Sequence, residues 1–140
     1  MGKMTYGILT VQSLFAMPQL NAHIIADGVD YGIKNKITFI AIMNHKCEGG
    51  GVPMSPVADA TDGKLSMTVI HGINKAAALT AFPSLLAGKH MEHKAYFGLD
   101  FKEADIVLKN PNVWHTDGEM CSYNTVMHIE CIPNAIKLMK

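Results

Sequence analysis

The chain has 140 residues, about the usual size of one domain, and 49% of them are apolar against 17% charged, which excludes a disordered chain. Its 12 basic and 12 acidic residues cancel, so it lacks the basic excess of a nucleic-acid-binding protein. This neutrality also argues against strong electrostatic attachment to an anionic membrane, although it is compatible with a lipid substrate.

The three cysteines, Cys47, Cys121 and Cys131, have no paired metal-ligand spacing, and one thiol is left over if two of them pair. That pattern suits a reducing compartment better than a disulfide framework. We therefore expect a cytoplasmic protein, at most peripheral to the membrane, in which the cysteines are small core or surface residues.

The first predicted element is an amphipathic helix over residues 4–16, where apolar residues recur at steps of three or four. Pro18 ends it, because the residue before a proline avoids the α region. No full charge occurs between Lys3 and Asp27, but polar residues interrupt this stretch too often for a membrane span. It also lacks the compact apolar block and cleavage site of a signal peptide.

A β hairpin is predicted next. Residues 22–26 have strand character, Asp27-Gly28 is a hairpin turn signal, and a short return strand follows around residues 29–33. The apolar run over residues 37–43 predicts a further strand that is covered on both faces.

A polar, glycine-rich loop is predicted over residues 44–62, and residues 65–73 return to β character. Asn74 is a suitable N-cap for an alanine-rich helix over residues 75–86. Pro83 predicts a kink or a separate final turn in that helix, and Gly88 closes it.

The last third of the chain predicts strands at residues 104–108, 126–132 and 135–139, with a tight turn at residues 116–119. There is no internal repeat, linker or low-complexity segment. About eight strands and two helices predict one mainly β domain over residues 1–140, most simply a β-sandwich with one or two accessory helices.

Four short segments carry more specific information than the composition does. Asn44 precedes the glycine triplet Gly49-Gly50-Gly51, and an acidic turn at residues 59–63 leads into a strand. The predicted helix ends in Gly88-Lys89-His90. Finally, Thr-Asp-Gly-Glu at residues 116–119 precedes a strand and a Pro-Asn-Ala tail at residues 133–135.

In this order and spacing the segments resemble the diacylglycerol kinase catalytic family, which includes sphingosine-kinase-like proteins and bacterial homologues. The resemblance extends over essentially the whole chain. It implies the C-terminal domain of the NAD kinase/diacylglycerol kinase-like fold. In function it implies the C-terminal, substrate-binding half of an ATP-dependent lipid kinase, which by default converts diacylglycerol to phosphatidic acid.

The resemblance implies that Asp117 is the general base and that Glu119 assists the polar and metal network. A carboxylate in hydrogen-bond reach of a lipid hydroxyl accepts its proton as the phosphoryl group arrives. Without the resemblance, the same residues fit an ordinary Asp-Gly surface turn.

The resemblance also places a structural Mg²⁺ at Asp62, held together with backbone carbonyls and water. Two departures weaken the match. Val57 stands where family members often have Asp, and Thr61-Asp62 replaces an acidic pair. An empty hairpin turn is the alternative.

Asn44 and the glycine triplet are implied to lie near the substrate cleft, where glycine N–H groups can cradle phosphate. A plain flexible connection is the alternative for three consecutive glycines. The seven histidines have no zinc-ligand spacing and predict scattered strand or surface residues. His115, two residues before Asp117, is a candidate for lining the same cleft.

The chain contains neither a Walker-type phosphate-binding run nor the Gly-Gly-Asp-Gly-Thr signature by which the resembled family binds ATP. Intact members carry that signature in an N-terminal α/β domain. We therefore expect a fragment that is inactive alone and needs that missing domain, with ATP and Mg²⁺ as cofactors of the intact enzyme. A non-catalytic β-sandwich binding module is the alternative. An excised half exposes apolar surface, so we also expect self-association through the opening helix or exposed strand edges.

Overall fold

The computed structural model describes residues 18–49 and 51–136. The helix predicted at residues 4–16 lies outside them, as do Gly50 and residues 137–139 of the last predicted strand. The described residues form seven strands, one α-helix and a short 3₁₀ helix at His90–Glu92. The strands and the helix are β1 Leu20–Ala26, β2 Val29–Ile37, β3 Phe39–Met43, β4 Leu65–Ile70, α1 Lys75–Leu86, β5 Tyr96–Phe101, β6 Glu103–Thr116 and β7 Glu119–Glu130.

The strands form two antiparallel sheets. The large sheet has the order β2-β1-β6-β7, and the small sheet has the order β3-β4-β5. Side chains from both sheets meet in one buried cluster, in which Ile24 and Ile106 of the large sheet join Met67 and Val69 of the small sheet. Burial of these side chains is the main term that holds the two sheets together. The predicted mainly β sandwich is confirmed.

The chain passes from one sheet to the other at single residues. A single strand was predicted over residues 37–43; β3 confirms it for Phe39–Met43, but its predicted start is wrong. Ile37 ends β2 in the large sheet, opposite Leu20, whereas Phe39 begins β3 in the small sheet. Between them, the Thr38 N–H donates to the Ile70 carbonyl at 2.8 Å. Lys102 makes the matching passage from β5 to β6. An apolar run does not reveal such a bend, because both halves remain apolar.

The predicted N-cap of α1 is confirmed, since the Asn74 Oδ1 accepts a hydrogen bond from the Ala77 N–H at 2.8 Å. The helix includes Pro83 and continues to Leu86, so the predicted separate final turn is not formed. Within the part of the chain that is described, no helix is long and apolar enough to cross a membrane.

Gly88 closes α1 as predicted. Its φ of 69° is in the left-handed region that glycine adopts without strain. The Gly88 N–H donates to the Leu85 carbonyl at 3.0 Å, and the Lys89 N–H donates to the Ser84 carbonyl at 2.8 Å. These two bonds form a Schellman motif, which satisfies carbonyls left free at the helix end.

The strand register shows which residues lie at each end of the sandwich, and we call the two ends the corner end and the far end. At the corner end, β1 turns into β2 at Asp27-Gly28, and β5 passes into β6 at Lys102. At the far end, β2 and β4 finish at Ile37 and Ile70, and β5 begins at Tyr96.

Candidate functional site

Asp117 occupies the turn between β6 and β7. Thr116 and Glu119 are paired, so Asp117 and Gly118 form a two-residue hairpin loop. Their φ angles are 48° and 83°, both positive, as a type I′ turn requires. Asp tolerates this conformation and Gly adopts it freely, so the sequence specifies the turn locally. The predicted tight turn at residues 116–119 is confirmed.

The turn lies at the tip of a two-stranded arm. β1 pairs with β6 only between Ala104 and Leu108, whereas β6 and β7 remain paired to their shared turn. The register shifts between Val107 and Asn112, a stretch that contains Pro111, which donates no backbone hydrogen bond. We call residues 112–123 the arm. It leaves the large sheet at the far end of the sandwich.

Trp114 anchors the base of the arm. Its ring packs against the core cluster, and its Nε1–H donates to the Asn124 carbonyl at 3.4 Å. Nearer the tip, the Thr116 Oγ1 and the Cys121 Sγ are 2.7 Å apart across the hairpin. These contacts fix the hairpin to the core and hold its two strands together, and they leave its turn exposed.

The carboxylates of Asp117 and Glu119 are exposed. Among the described residues, neither carboxylate takes part in a hydrogen bond or an ion pair. His115 is also exposed and lies opposite Met120 on the arm. The tip therefore presents two acids, two residues apart, that are available to a hydroxyl group, a cation or a partner surface.

Asp62 lies in an exposed turn that leads into β4. Its Oδ1 accepts the Lys64 N–H at 2.8 Å, and Gly63 lies against Pro133 in the segment after β7. Asp59 starts the same turn and accepts both the N–H and the hydroxyl of Thr61, at 2.9 and 2.6 Å. Hydrogen bonds from the Thr61 hydroxyl and N–H lower the pKa of Asp59.

Carboxylate and carbonyl oxygens are the ligands that Mg²⁺ prefers, so the donor chemistry around Asp62 fits the cation. Among residues 18–49 and 51–136, no three His, Cys, Asp or Glu side chains converge on a common metal position. A site here would therefore rely on backbone carbonyls and water beside Asp62, and it stays a prediction.

The glycine segment forms a small closed turn. Glu48 and Val52 exchange two backbone hydrogen bonds, at 2.8 and 3.0 Å, around Gly49 and Gly51. Gly51 has a φ of 82°, which explains the need for glycine at that position. Both glycines are exposed, as is Asn44 directly after β3. The role of these residues in a substrate cleft stays a prediction.

The candidate residues fall into two groups. Asn44 follows the end of β3 and Asp62 precedes the start of β4, and register places both at the corner end. Asp117 and Glu119 lie together on the arm beyond the far end. β6 alone is 14 residues long, about 45 Å of extended strand. The described residues do not bring the two groups into one cleft.

Two of the histidines pair with aspartates on a neighbouring strand. His23 pairs with Asp30 at 2.6 Å, and His128 pairs with Asp105 at 2.7 Å, both on the large sheet. The hydrogen bond to Asp105 raises the pKa of His128. Each of these pairs is a local contact between neighbouring strands.

The model of the family described as the YegS C-terminal NAD kinase beta sandwich-like domain matches residues 1–140. The chain belongs to this family. The match confirms the expected C-terminal domain of the NAD kinase/diacylglycerol kinase-like fold, and it covers all segments on which the resemblance rested.

Curated relatives of this YegS C-terminal domain include proteins named diacylglycerol kinase from two strains of Mycobacterium tuberculosis, CDC 1551 / Oshkosh and ATCC 25618 / H37Rv. Each is 24% identical over 139 residues. The match covers 99% of this chain and 44% of each relative. The chain therefore spans less than half the length of these proteins.

Solved structures share the fold. A structure named a diacylglycerol kinase from Bacillus anthracis str. Sterne has a TM-score of 0.66 and 22% identity, covering 92% of this chain and 43% of that one. Two further structures from the same organism have TM-scores of 0.67 and 0.68, at 22% and 21% identity. These TM-scores, at such low identity, show the shared fold alone.

Within this YegS-type domain, the Gly88-Lys89-His90 segment has a role that sequence reasoning missed. His90 is only 2% exposed, and its Nε2 lies 3.1 Å from the Met54 carbonyl. A carbonyl only accepts, so Nε2 carries the proton. Gly88 lies against Pro53, where an added Cβ would come within 3.3 Å of the ring. The motif thus fastens the loop after Asn44 to the end of α1.

Proposed function

We propose that this domain is the substrate-binding, proton-accepting half of an ATP-dependent lipid kinase. Its default substrate is diacylglycerol and its product is phosphatidic acid. The curated relatives named diacylglycerol kinase support the lipid class, and the family match over the whole chain supports a domain of a kinase-like fold. A nucleotide-binding domain, on the same polypeptide or on a partner, holds the ATP.

One observation carries the proposal. Asp117 is presented at the tip of a type I′ turn, exposed and without a partner among the described residues. A carboxylate used only to stabilise a turn accepts nearby backbone N–H groups, as Asp59 and Asp62 do. An acid left unengaged at a projecting tip is available for a reacting hydroxyl.

The proposed chemistry is a phosphoryl transfer. ATP, when bound by the nucleotide domain with Mg²⁺, supplies the γ-phosphoryl group. The Asp117 carboxylate accepts the proton of the lipid hydroxyl while the hydroxyl oxygen forms its bond to phosphorus and ADP departs. Glu119, two residues further along the chain, adds negative charge that helps hold the proton on Asp117, and it would help to hold the Mg²⁺ that accompanies ATP.

The corner end has a supporting part in this proposal. A Mg²⁺ ion at Asp62 would fix the turn before β4 rather than take part in the transfer, because Asp62 lies at the corner end of the sandwich and Asp117 lies beyond the far end. Asn44, Gly49, Gly50 and Gly51 remain candidates for the substrate cleft, and the exposed positions of Asn44, Gly49 and Gly51 are compatible with contact from a second domain.

The test uses the full-length gene product that contains this chain, assayed for ATP-dependent phosphorylation of diacylglycerol. We expect Asp117→Asn to lower kcat by about 10²- to 10⁴-fold, the usual value of a general base. Asp105→Asn is the control: it makes the same change on β6, the strand that leads into the turn, at a half-exposed aspartate that pairs with His128 away from the tip.

Unchanged activity in Asp117→Asn would remove Asp117 from the mechanism. The binding-module alternative makes a different prediction. It requires that the wild-type protein bind diacylglycerol without phosphorylating it when ATP and Mg²⁺ are supplied.

A further inference from the structure

Helix α1 carries no charge on the side that faces solvent. Its exposed positions Ala76, Thr80, Pro83 and Leu86 recur at steps of three or four, so they lie on one side of the helix. We call these four residues the outer face of α1. No Asp, Glu, Lys or Arg occurs in residues 76–88. A helix at the surface of a globular protein normally has charged or polar residues on its solvent side, so this face is unusual.

The opposite side of α1 is also apolar. Ala78 and Leu85 are buried there, and Leu79 and Phe82 are half-buried at the flanks. Leu86, on the outer face, is 51% exposed. A helix that is apolar on all sides is normally covered on all sides. The described part of the chain covers only one side of α1.

The described chain starts at Pro18, beside the first turn of α1. The Gln19 Nε2 donates to the Ile73 carbonyl at 2.7 Å, and Asn74, the N-cap of α1, follows Ile73 directly. Asn21 is held to β2 in turn, since its Oδ1 accepts the Lys36 N–H at 3.0 Å. The residues that precede Pro18 therefore join the described chain next to the start of α1.

The segment of residues 4–16 has the same chemistry as the outer face of α1. It contains no Asp, Glu, Lys or Arg, and its apolar residues Ile8, Val11 and Phe15 recur at steps of three and four. The helix predicted over this segment would be about 20 Å long, against about 18 Å for the 12 residues of α1. The two segments therefore match in length and in lack of charge.

The outer face of the large sheet is a second, partly apolar surface. Register aligns the exposed side chains of Ile33, Val107 and Val126 with His23 in one row across the four strands. His23 pairs with Asp30, and a second histidine–aspartate pair lies in the next row. An uncharged helix on this face would remove these groups from water without giving them a new partner, which costs free energy. The outer face of α1 carries no such cost.

We propose that residues 4–16 form a helix that packs against the outer face of α1. The two helices run roughly antiparallel, because Gln19 holds the end of this segment beside the start of α1. The beginning of the segment then lies towards Gly88 at the end of α1. This contact does not depend on the proposed kinase activity.

A segment of the same chain fits this face better than a second molecule does. The Gln19 bond keeps residue 16 within a few residues of α1, so docking loses less freedom than the association of two molecules. One contact also removes two apolar surfaces from water, whereas a second molecule on α1 would leave the segment of residues 4–16 uncovered. Of the two routes expected for self-association, the opening helix and the strand edges, this leaves the strand edges.

Hydrogen–deuterium exchange of the full 140-residue chain, followed by mass spectrometry, tests the contact. Thr80→Glu with Leu86→Glu places two acids on the outer face of α1. Ile33→Glu with Val126→Glu is the control, which places two acids on the outer face of the large sheet. All four positions are exposed, and both variants change the net charge equally. Unchanged exchange in β4 shows that a variant is folded.

We expect slow exchange of residues 4–16 in the wild-type chain at low protein concentration. The α1 variant should speed that exchange by at least about tenfold, and the control variant by less than about threefold. Fast exchange in the wild-type chain, or equal effects of the two variants, would overturn the proposal. So would protection that appears only at raised protein concentration, which indicates a second copy, or only with phospholipid vesicles, which indicates a bilayer.

A reciprocal variant tests the same contact without altering α1. Ile8→Lys with Phe15→Lys places two cations on the apolar face of residues 4–16. We expect the exchange of α1 to rise by at least about tenfold while the exchange of β1 and β6 stays at its wild-type rate. Unchanged exchange in α1 would show that residues 4–16 do not cover it. That result would sink the proposal even if the Thr80→Glu, Leu86→Glu variant failed to fold.

Discussion

Asp27 and Glu103 exchange two hydrogen bonds at the corner end of the sandwich. The Asp27 N–H donates to the Glu103 carbonyl at 3.0 Å, and the Glu103 N–H donates to the Asp27 Oδ1, also at 3.0 Å. The same oxygen accepts the Lys102 N–H at 2.9 Å. One side chain therefore joins the β1–β2 turn to the residue where the chain changes sheets. The bonds from Glu103 and Lys102 lower the pKa of Asp27.

We expect Asp27→Ala to cost more stability than Asp117→Ala. Both residues occupy the first position of an Asp-Gly turn, with φ of 49° and 48°, so the backbone strain of the alanine is matched. Of the two, only Asp27 accepts hydrogen bonds from the backbone N–H groups of Lys102 and Glu103. Because its carboxylate is exposed, we expect the free energy of unfolding to differ by about 1–2 kcal/mol, measured in urea. Equal costs would show that the corner bonds contribute nothing.

The contribution of Asp27 should depend on pH in one direction. Its pKa is lower in the folded chain than in the unfolded chain, so its bonds stabilise the fold above the unfolded value of about 4. That contribution is lost as the pH falls through the lowered folded pKa. The stability gap between wild type and Asp27→Asn, measured by urea unfolding, should therefore narrow as the pH falls below about 4. A gap that stays constant down to acid pH contradicts this.

Local chemistry explains which parts of the fold the sequence predicts. Two Asp-Gly turns, the Asn74 cap and the Gly88 stop each depend on a few adjacent residues, and all four were predicted correctly. The passages between sheets were not predicted. Asp27 was recognised only as a turn residue, because its partners Lys102 and Glu103 lie 75 and 76 positions away in sequence.

The candidate site, like the fold, has features that the sequence predicts and features that it does not. The Asp-Gly-Glu turn could be located from the order of motifs, and its type I′ geometry follows from its residues. Its position on an arm beyond the far end depends on the pairing of β6 with β1 and on the register shift near Pro111. Register is a long-range property, so the separation of Asp117 from Asp62 is not encoded in either motif.

His90 should destabilise the fold in acid. It is buried, its Nδ1 has no partner among the described residues, and burial lowers its pKa. The unfolded chain therefore takes up a proton first, and stability falls as the pH drops below about 6.5, until the folded pKa is passed. Histidine NMR titration checks the order: His90 should titrate below the ordinary value and His128 above it. An ordinary value for His90 would contradict its burial.

Magnesium should stabilise the chain if Asp62 holds it. Binding to the folded state alone adds about 1.4 kcal/mol at ten times the dissociation constant, which raises the thermal midpoint. We expect Asp62→Asn to abolish the rise and Asp105→Asn, the exposed control, to retain it. Calcium at the same concentration is a further control. A site selective for magnesium gives a smaller rise with calcium, whereas general screening of charge gives the same rise with both cations. An equal rise in both variants would place the cation elsewhere.

Self-association should involve the free edge of β7. This strand ends the large sheet, and Tyr123 and Val126 on it are 65% and 54% exposed. An edge strand with exposed apolar residues offers unpaired backbone groups to a second copy. Tyr123→Lys with Val126→Lys should shift the chain towards monomer in sedimentation equilibrium. Ile33→Lys on the opposite edge strand β2 should not, although Ile33 is 66% exposed. The reverse result would place the contact on β2, and a wild-type chain that stays monomeric at high concentration would exclude association through either edge.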